Sequence, residues 1–128
     1  MDTKELEDLP ITKGRIDKGK AHVIVELIEY EHDAILSRTI MKKATGSIAE
    51  LSFDSGQGLD DMTSPFDTYV QLIDGSSIIV VDGEKTELKT GDGILIPANR
   101  SSRIVPNGRF KLLLTVIKSG YEDLSVGE

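Results

Sequence analysis

The sequence predicts an all-β fold, with the strands arranged as an antiparallel barrel or sandwich. From residue 34 onward the chain is a succession of short runs that are β-branched or alternate in polarity. Pairs of Asp and Gly separate several of these runs. Only one segment, residues 22–30, also suits a helical period. Many short strands without intervening helices exclude βαβ units and favour an antiparallel architecture.

Eight runs are predicted as strands. They read AILSRTIMKK, SIAELSF, DTYVQLI, SSIIVV, KTEL, GILIP, SRIV and FKLLLTVIK. Asp74-Gly75, Asp82-Gly83 and Gly91-Asp92-Gly93 are predicted as hairpin turns, because Asp-Gly supplies the positive φ angles of tight turns. Neighbouring strands are therefore expected to run antiparallel.

Alternation within two runs predicts which side chains are buried. In residues 47–53, Leu51 and Phe53 share one face, and Glu50 and Ser52 are expected on a solvent face opposite them. Residues 67–73 are apolar on both faces, which predicts a strand covered on both sides. Thr68 and Gln71, one on each face of that strand, are then expected in sheltered places.

The N-terminal part is harder to interpret. Residues 1–20 are polar and lack a sustained apolar period, so we expect a loosely ordered arm followed by a single domain over 21–128. Residues 22–30 predict a short strand followed by a helical turn. A chain of 128 residues is long enough for one core and too short for two domains.

Composition excludes several classes of protein. No apolar run approaches the roughly 20 residues of a membrane span, and no secretory signal is visible, so a cytoplasmic location is expected. The absence of cysteine excludes disulfides and thiolate sites. A net charge of -7 without a dense basic cluster argues against a nucleic-acid partner.

Two stretches carry a family resemblance. GQGLDDMTSPFDTYVQLIDG, followed by GDGILIPANRSSRIV, resembles the two motifs of the cupin superfamily, and the likeness extends over about residues 34–118. Gly56 and Gly75 frame the first motif, while Gly91, Pro97 and Asn99 keep the frame of the second. The resemblance implies a small single-domain cupin of the "cupin 2" conserved-barrel type, an antiparallel β-barrel of jelly-roll form.

The chain departs from the family pattern where cupins hold their metal. Met62, Ser64 and Thr68 stand at the three ligand positions of the first motif, and Ser102 stands at the histidine position of the second. Transition metals are held by imidazole, carboxylate or thiolate, and thioether sulfur suits only soft ions such as Cu(I). We therefore expect no metal and no cofactor here. Met62 is interpreted as cavity wall or core, with copper binding as the alternative.

The same positions offer a ligand-binding hypothesis. The hydroxyls of Ser64, Thr68 and Ser102, together with Gln71 and Asn99, could hydrogen-bond a small polar ligand. The hydroxyls equally fit inert replacements, and Asn99 also suits a turn that needs a left-handed backbone. Arg100 and Arg103 would bring positive charge to the barrel mouth, which would allow an anionic ligand.

Three functional hypotheses remain. The first is a metal-free, non-catalytic barrel that binds or senses a small molecule. The second is a metal-dependent or acid-base enzyme of isomerase or dioxygenase type with a displaced site, using Asp61, Asp67 and His32. Asp60, Asp61 and Asp67 also fit turn formers. The third is an assembly role, and a homodimer is expected from the resemblance and from the apolar residues 23–30.

Overall fold

The computed structural model describes residues 16–118, and their architecture is all-β as predicted. The seven strands are β1 (Ile35–Lys43), β2 (Gly46–Phe53), β3 (Leu59–Met62), β4 (Asp67–Val81), β5 (Glu84–Lys89), β6 (Gly93–Ile96) and β7 (Ser102–Ile117). A single turn of 3-10 helix, Ile24–Glu26, precedes them. Every strand pairing is antiparallel. Within this range no helix has the length and apolarity that crossing a membrane requires.

Two long strands, β4 and β7, organise the fold. The first half of β4 and the second half of β7 pair with each other, and with β6, β2 and β1 they form one layer. The second half of β4 and the first half of β7 pair again, between β5 and β3, and form the other layer. One sheet thus folds over on itself as an antiparallel barrel.

The fold-over requires a glycine at the bend of β4. The register between β4 and β7 shifts on both sides of Gly75, which has φ +88° and pairs with Phe110. A Cβ at Gly75 would lie 2.3 Å from the carbonyl oxygen of Arg109, too close for any side chain. Bulges and glycine are the devices that bend a strand from one layer into the next.

The core fills the space between the two layers. Phe53 and Phe110 are fully buried and stack with ring centroids 4.3 Å apart. Around them lie buried side chains from all strands except β1: Leu51, Leu59, Met62, Val70, Leu72, Ile79, Leu88, Ile96, Ile104, Leu112 and Leu114. Leu51 and Phe53 face this core, as their alternation predicted.

The strand and turn prediction needs four corrections. Runs 67–73 and 76–81 are one strand, β4, and runs 102–105 and 110–118 belong to one strand, β7, so seven strands replace eight. Asp74-Gly75 is not a hairpin turn, because it lies within β4. Residues 59–62 form the strand β3, which the sequence did not indicate. Asp82-Gly83 connects the antiparallel neighbours β4 and β5, as predicted. Gly91-Asp92-Gly93 is not a hairpin turn, because it joins β5 to β6, and each of these strands pairs with β4 instead.

The outer face of the first layer is covered in part by residues 22–30, which we name the strap. The strap contains the 3-10 turn and no strand, contrary to the strand predicted there. Ile28 is the buried residue of the strap, with 1% of its surface exposed. The prediction of a solvent face at Glu50 and Ser52 is wrong for the same reason: both residues are at most 1% exposed.

The rest of that outer face is open. Tyr69 is 45% exposed, so the prediction that residues 67–73 are covered on both sides is wrong for one face. Thr68, Val70 and Leu72 of the same strand are buried on the core side. The predicted loose arm falls mostly on residues 1–15, which lie outside the described residues, as do residues 119–128.

Candidate functional site

The two motif segments meet at one end of the barrel, which we name the mouth. Met62 in β3 is the register partner of Ser102 in β7. The amide of Asn99 donates to the carbonyl oxygen of Ser64 at 2.7 Å, and the amide of Ala98 donates to Oδ1 of Asp67 at 2.8 Å. The two sequence motifs are therefore joined directly by hydrogen bonds between residues at least 31 positions apart.

Met62 closes the mouth from inside. Its side chain is 6% exposed and belongs to the hydrophobic core cluster with Leu59, Ile96 and Leu114. A flexible thioether fills irregular core space well. The interpretation of Met62 as core or wall agrees with this position.

The three hydroxyls at the mouth contact neighbouring backbone. Ser102 Oγ donates to the carbonyl oxygen of Met62 at 3.3 Å, and Thr68 Oγ1 donates to that of Phe66 at 3.4 Å. Ser64 Oγ accepts from the amide of Phe66 at 3.1 Å. Thr68 and Ser102 are buried, and Ser64 is half-buried. Each hydroxyl thus satisfies a local backbone group.

The remaining two predicted ligand residues lie apart from these. Asn99 is exposed and has φ +64°, the left-handed conformation that Asn tolerates in turns. Gln71 is half-buried on the face of β4 opposite Thr68, away from the barrel interior. The structure therefore pairs Met62 with Ser102, buries Thr68 on the core side of β4 and leaves Gln71 on the outer face.

Comparison with solved structures supports the predicted family. A conserved protein of unknown function from Streptococcus pyogenes superposes with a TM-score of 0.78 at 28% identity, covering 84% of this chain and 94% of that one. A cupin superfamily protein from Desulfitobacterium hafniense gives 0.78 at 24% identity over 83% and 97% of the two chains. A cupin 2 conserved barrel domain protein from Leptotrichia buccalis gives 0.71 at 30% identity over 73% of this chain and 46% of its own length.

The chain has a cupin fold. A salicylate 1,2-dioxygenase from Pseudoaminobacter salicylatoxidans shares this fold at 17% identity, with a TM-score of 0.61 over 65% of this chain and 26% of the enzyme. No protein-family model matches the chain, and no curated protein matches it. The neighbours therefore include proteins of unknown function and an enzyme, and the function has to be argued from the site.

The cupin metal does not fit the residues at the mouth. The four motif positions supply one buried thioether and three neutral hydroxyls that bond to backbone. Zinc, iron and manganese need imidazole, carboxylate or thiolate ligands. The donor set of this cupin therefore offers such an ion no ligand at the usual position.

The aspartates near the mouth differ in backbone conformation, contacts and exposure. Asp61 has φ +53° within the short β3 strand, and Asp67 caps the amide of Ala98 at the start of β4. Asp60 and Asp61 are exposed. Arg100, considered as a positive charge at the mouth, forms a 2.6 Å salt bridge with Asp82.

A second polar cluster lies outside the mouth. His32 Nε2 is 3.1 Å from Asp33 Oδ2, and His32 Nδ1 is 3.7 Å from Asp54 Oδ2. The displaced-site hypothesis grouped His32 with Asp61 and Asp67, whereas the structure pairs it with Asp33 and Asp54. Both His22 and His32 are exposed.

Asp54 anchors this cluster. Its Oδ2 accepts from the amide of Asp33 at 2.7 Å, and its Oδ1 accepts from Arg109 Nε at 2.6 Å. The backbone hydrogen bond from Asp33, followed by that from Arg109, lowers the pKa of Asp54 from 3.8 to about 2. Sequence reasoning missed the pair because Asp54 and Arg109 are 55 residues apart with no shared motif.

A cleft of about 210 Å³ lies beside the strap. Its walls are formed by Arg38 of β1, by His22 and Leu27 of the strap, and by four residues that precede the strap: Ile16, Asp17, Lys20 and Ala21. Lys20, His22 and Arg38 contribute basic groups, and Asp17 contributes one carboxylate. No residue of this cleft was predicted as a ligand residue, because neither the arm nor the start of β1 carries a recognisable motif.

Proposed function

We propose that this cupin is a non-catalytic module that binds a small molecule and holds no metal at the usual cupin position. The observation that carries the proposal is the set of residues at the mouth: Met62 is part of the core, and the hydroxyls of Thr68 and Ser102 donate to backbone carbonyls. An activated water or a metal-bound substrate has no supporting ligand there. Binding without metal chemistry is the function this arrangement supports best.

The cleft beside the strap supports a small anionic ligand. Arg38 and Lys20 contribute cationic side chains to its wall, and His22 adds a donor. At the mouth, by contrast, the charge of Arg100 is offset by Asp82. We therefore place the ligand in the cleft, with the accessible mouth residues Ser64 and Asn99 as the alternative position.

Calorimetric titration tests this placement. Inorganic phosphate and citrate are the probes, and glucose is the neutral control. We expect the anions to bind and glucose not to bind, with at least a tenfold loss of anion affinity in Lys20→Ala and none in Ser64→Ala. Loss confined to Ser64→Ala would move the site to the mouth, and binding of glucose alone would contradict an anionic ligand.

Restoring imidazole ligands at the motif positions tests the proposal that this chain holds no metal at the usual cupin position. The triple variant Met62→His, Ser64→His and Ser102→His places three imidazoles at the motif positions. Because a ligand that binds only the folded state raises the melting temperature, this variant should gain a shift of several degrees under saturating Zn²⁺. The unmodified protein should show none. Equal shifts in both proteins would mean that zinc binds elsewhere.

A further inference from the structure

The strap is fastened to the sheet by side chains that bond its backbone. Arg38 Nη1 donates to the carbonyl oxygen of Leu27 at 2.7 Å, Ser52 Oγ to that of Glu29 at 2.7 Å, and Lys111 Nζ to that of Val25 at 2.5 Å. Tyr30 closes the end of the strap by donating to Asp74 Oδ2 at 2.7 Å. Side chains of β1, β2, β4 and β7 thus all hold this segment.

A buried acid, Glu50, lies among the side chains that bond the strap. Glu50 is 0% exposed, and neither carboxylate oxygen has a hydrogen-bond partner. Arg38 is its register partner on β1, and Arg38 Nε is likewise buried without a partner. Lys111 lies on β7, where it also sits 4.9 Å from the centre of the Tyr30 ring. Both neighbouring cations therefore direct hydrogen bonds to the strap and none to Glu50.

Such an environment favours the neutral acid. An ionised carboxylate that is buried without hydrogen bonds is strongly destabilised. Burial raises the pKa of Glu50 from 4.5 to about 7, against the opposing charges of Lys111 and Arg38. The closed strap thus binds a proton at Glu50 more tightly than an open, hydrated strap would.

The other charged groups around Glu50 come from each packed element. Arg38 comes from β1, Lys111 from β7, and Asp74 from β4, where it accepts from Tyr30. Burial and Asp74 raise the pKa of Tyr30, which keeps the phenol neutral. The strap itself adds His22, Glu26 and Glu29, which are exposed to solvent.

We propose that the strap is a pH-responsive cover, which closes over protonated Glu50 and is released when Glu50 gives up its proton to solvent. Release frees Arg38 and Lys111 from the carbonyls of Leu27 and Val25, so that both cations and water can reach the carboxylate. It also removes Leu27 from the wall of the cleft. The proposal needs no ligand and stands apart from the proposed function.

Amide hydrogen exchange between pH 5 and pH 9, corrected for the intrinsic rate at each pH, tests the cover. We expect protection of the Glu26 and Leu27 amides, which donate to the carbonyls of Val23 and Ile24, to fall at least tenfold as the pH rises. Protection in β4 and β7 should stay constant. In Glu50→Gln, which is neutral and of equal size, strap protection should not change with pH. An equal fall in Glu50→Gln, or no fall in the unmodified chain, would overturn the proposal.

Direct titration keeps the test decisive if Glu50→Gln does not fold. The carboxyl carbon of Glu50 in the unmodified protein should titrate near pH 7 in its NMR chemical shift. Titration near the ordinary value of 4.5 would overturn the proposal. Glu50→Met, apolar and of similar volume, serves as the second pH-independent variant, and its strap should stay protected at pH 9.

Discussion

Two buried acids, Asp54 and Glu50, show how burial and hydrogen bonding together set the pKa of a carboxylate. Asp54 accepts hydrogen bonds from the amide of Asp33 and from Arg109, and its pKa falls to about 2. Glu50 has no hydrogen-bond partner, and its pKa rises to about 7. The backbone hydrogen bond from Asp33 is the main cause of the low pKa of Asp54, whereas burial without a hydrogen bond raises the pKa of Glu50.

Glu50→Gln should make the fold more stable at pH 8 than the unmodified chain and leave its stability unchanged at pH 4. The folded-state pKa of Glu50, about 7, exceeds the ordinary value of 4.5. The contribution of protonated Glu50 to the free energy of unfolding is therefore fully present below pH 4.5 and is lost as the pH rises through 7. The gain in the free energy of unfolding of Glu50→Gln at pH 8 has an upper limit of about 3 kcal/mol. Chemical denaturation at pH 4 and pH 8 measures the free energy of unfolding of both proteins. A variant that is less stable than the unmodified chain at pH 8 would contradict the prediction.

Asp54→Asn should lower the melting temperature at pH 7. The folded pKa is depressed from 3.8 to about 2, so this stabilisation is present above 3.8 and is lost as the pH falls through 2. The difference in melting temperature between Asp54→Asn and the unmodified chain should therefore shrink as the pH is lowered from 5 toward 2. Circular dichroism melts give the result, and Arg109→Gln should show the same trend. A difference in melting temperature that stays constant at all pH values would rule out the charge of Asp54 as its cause.

At the level of single residues the sequence predicted the mouth better than the strap. Met62, Ser64, Thr68 and Ser102 were singled out because their spacing matches a known frame, and their role in ligand binding stays a prediction. Glu50 was assigned to solvent from alternation alone, since alternation identifies two faces but cannot show that a distant segment covers the second. Gln71 was grouped with Thr68 although the period of a strand places them on opposite faces.

Among the elements, β4 and β7 show why local turn chemistry was misleading. Asp74-Gly75 and Pro106-Asn107-Gly108 have turn composition, yet each lies inside a long strand. A bend between layers uses the same residues as a hairpin, and only the pairing of β4 with β7 along both halves distinguishes them. That pairing joins residues far apart in sequence.

Gly75→Ala should destabilise the fold by about 3 kcal/mol or more, or prevent folding. The new Cβ would meet the carbonyl oxygen of Arg109, and the positive φ adds strain. Gly83→Ala is the matched control: its φ is +84° and nothing lies within 4 Å of the added atom, so about 1 kcal/mol is expected. Urea denaturation of Gly75→Ala, Gly83→Ala and the unmodified chain gives the loss in the free energy of unfolding for each variant. Equal losses would show that the bend does not depend on close backbone approach.

For the molecule as a whole, the homodimer stays a prediction. Residues 23–30, which motivated it, pack in part on their own chain. The outer face of the first layer instead presents a row of register partners: Met41, Ile48, Thr115, Tyr69 and Leu95. Tyr69 and Leu95 are 45% and 59% exposed, which is unusual for large apolar side chains.

Light scattering at high micromolar concentration tests the homodimer. We expect a dimer for the unmodified chain and a monomer for Leu95→Glu, with Thr86→Glu, at an exposed polar position of β5, as the control. A monomeric unmodified chain would remove the prediction, and a dimer that survives Leu95→Glu would place the interface elsewhere.

The overall cupin architecture was predictable because the two motifs and the strand composition agree. Gly56, Gly75, Gly91 and Pro97 kept the frame even though the ligands between them had changed. The strap and the cleft were not predictable, since both depend on how the N-terminal segment crosses a sheet that forms from later residues.

The metal content of protein purified without a histidine tag tests the central claim most directly. Met62, Ser64, Thr68 and Ser102 offer neither imidazole nor carboxylate, so elemental analysis should find zinc, iron, nickel and manganese far below one ion per chain. A stoichiometric ion that is retained through purification, and is lost in Asp61→Asn or Asp67→Asn, would contradict the claim and make the displaced-site enzyme the better account.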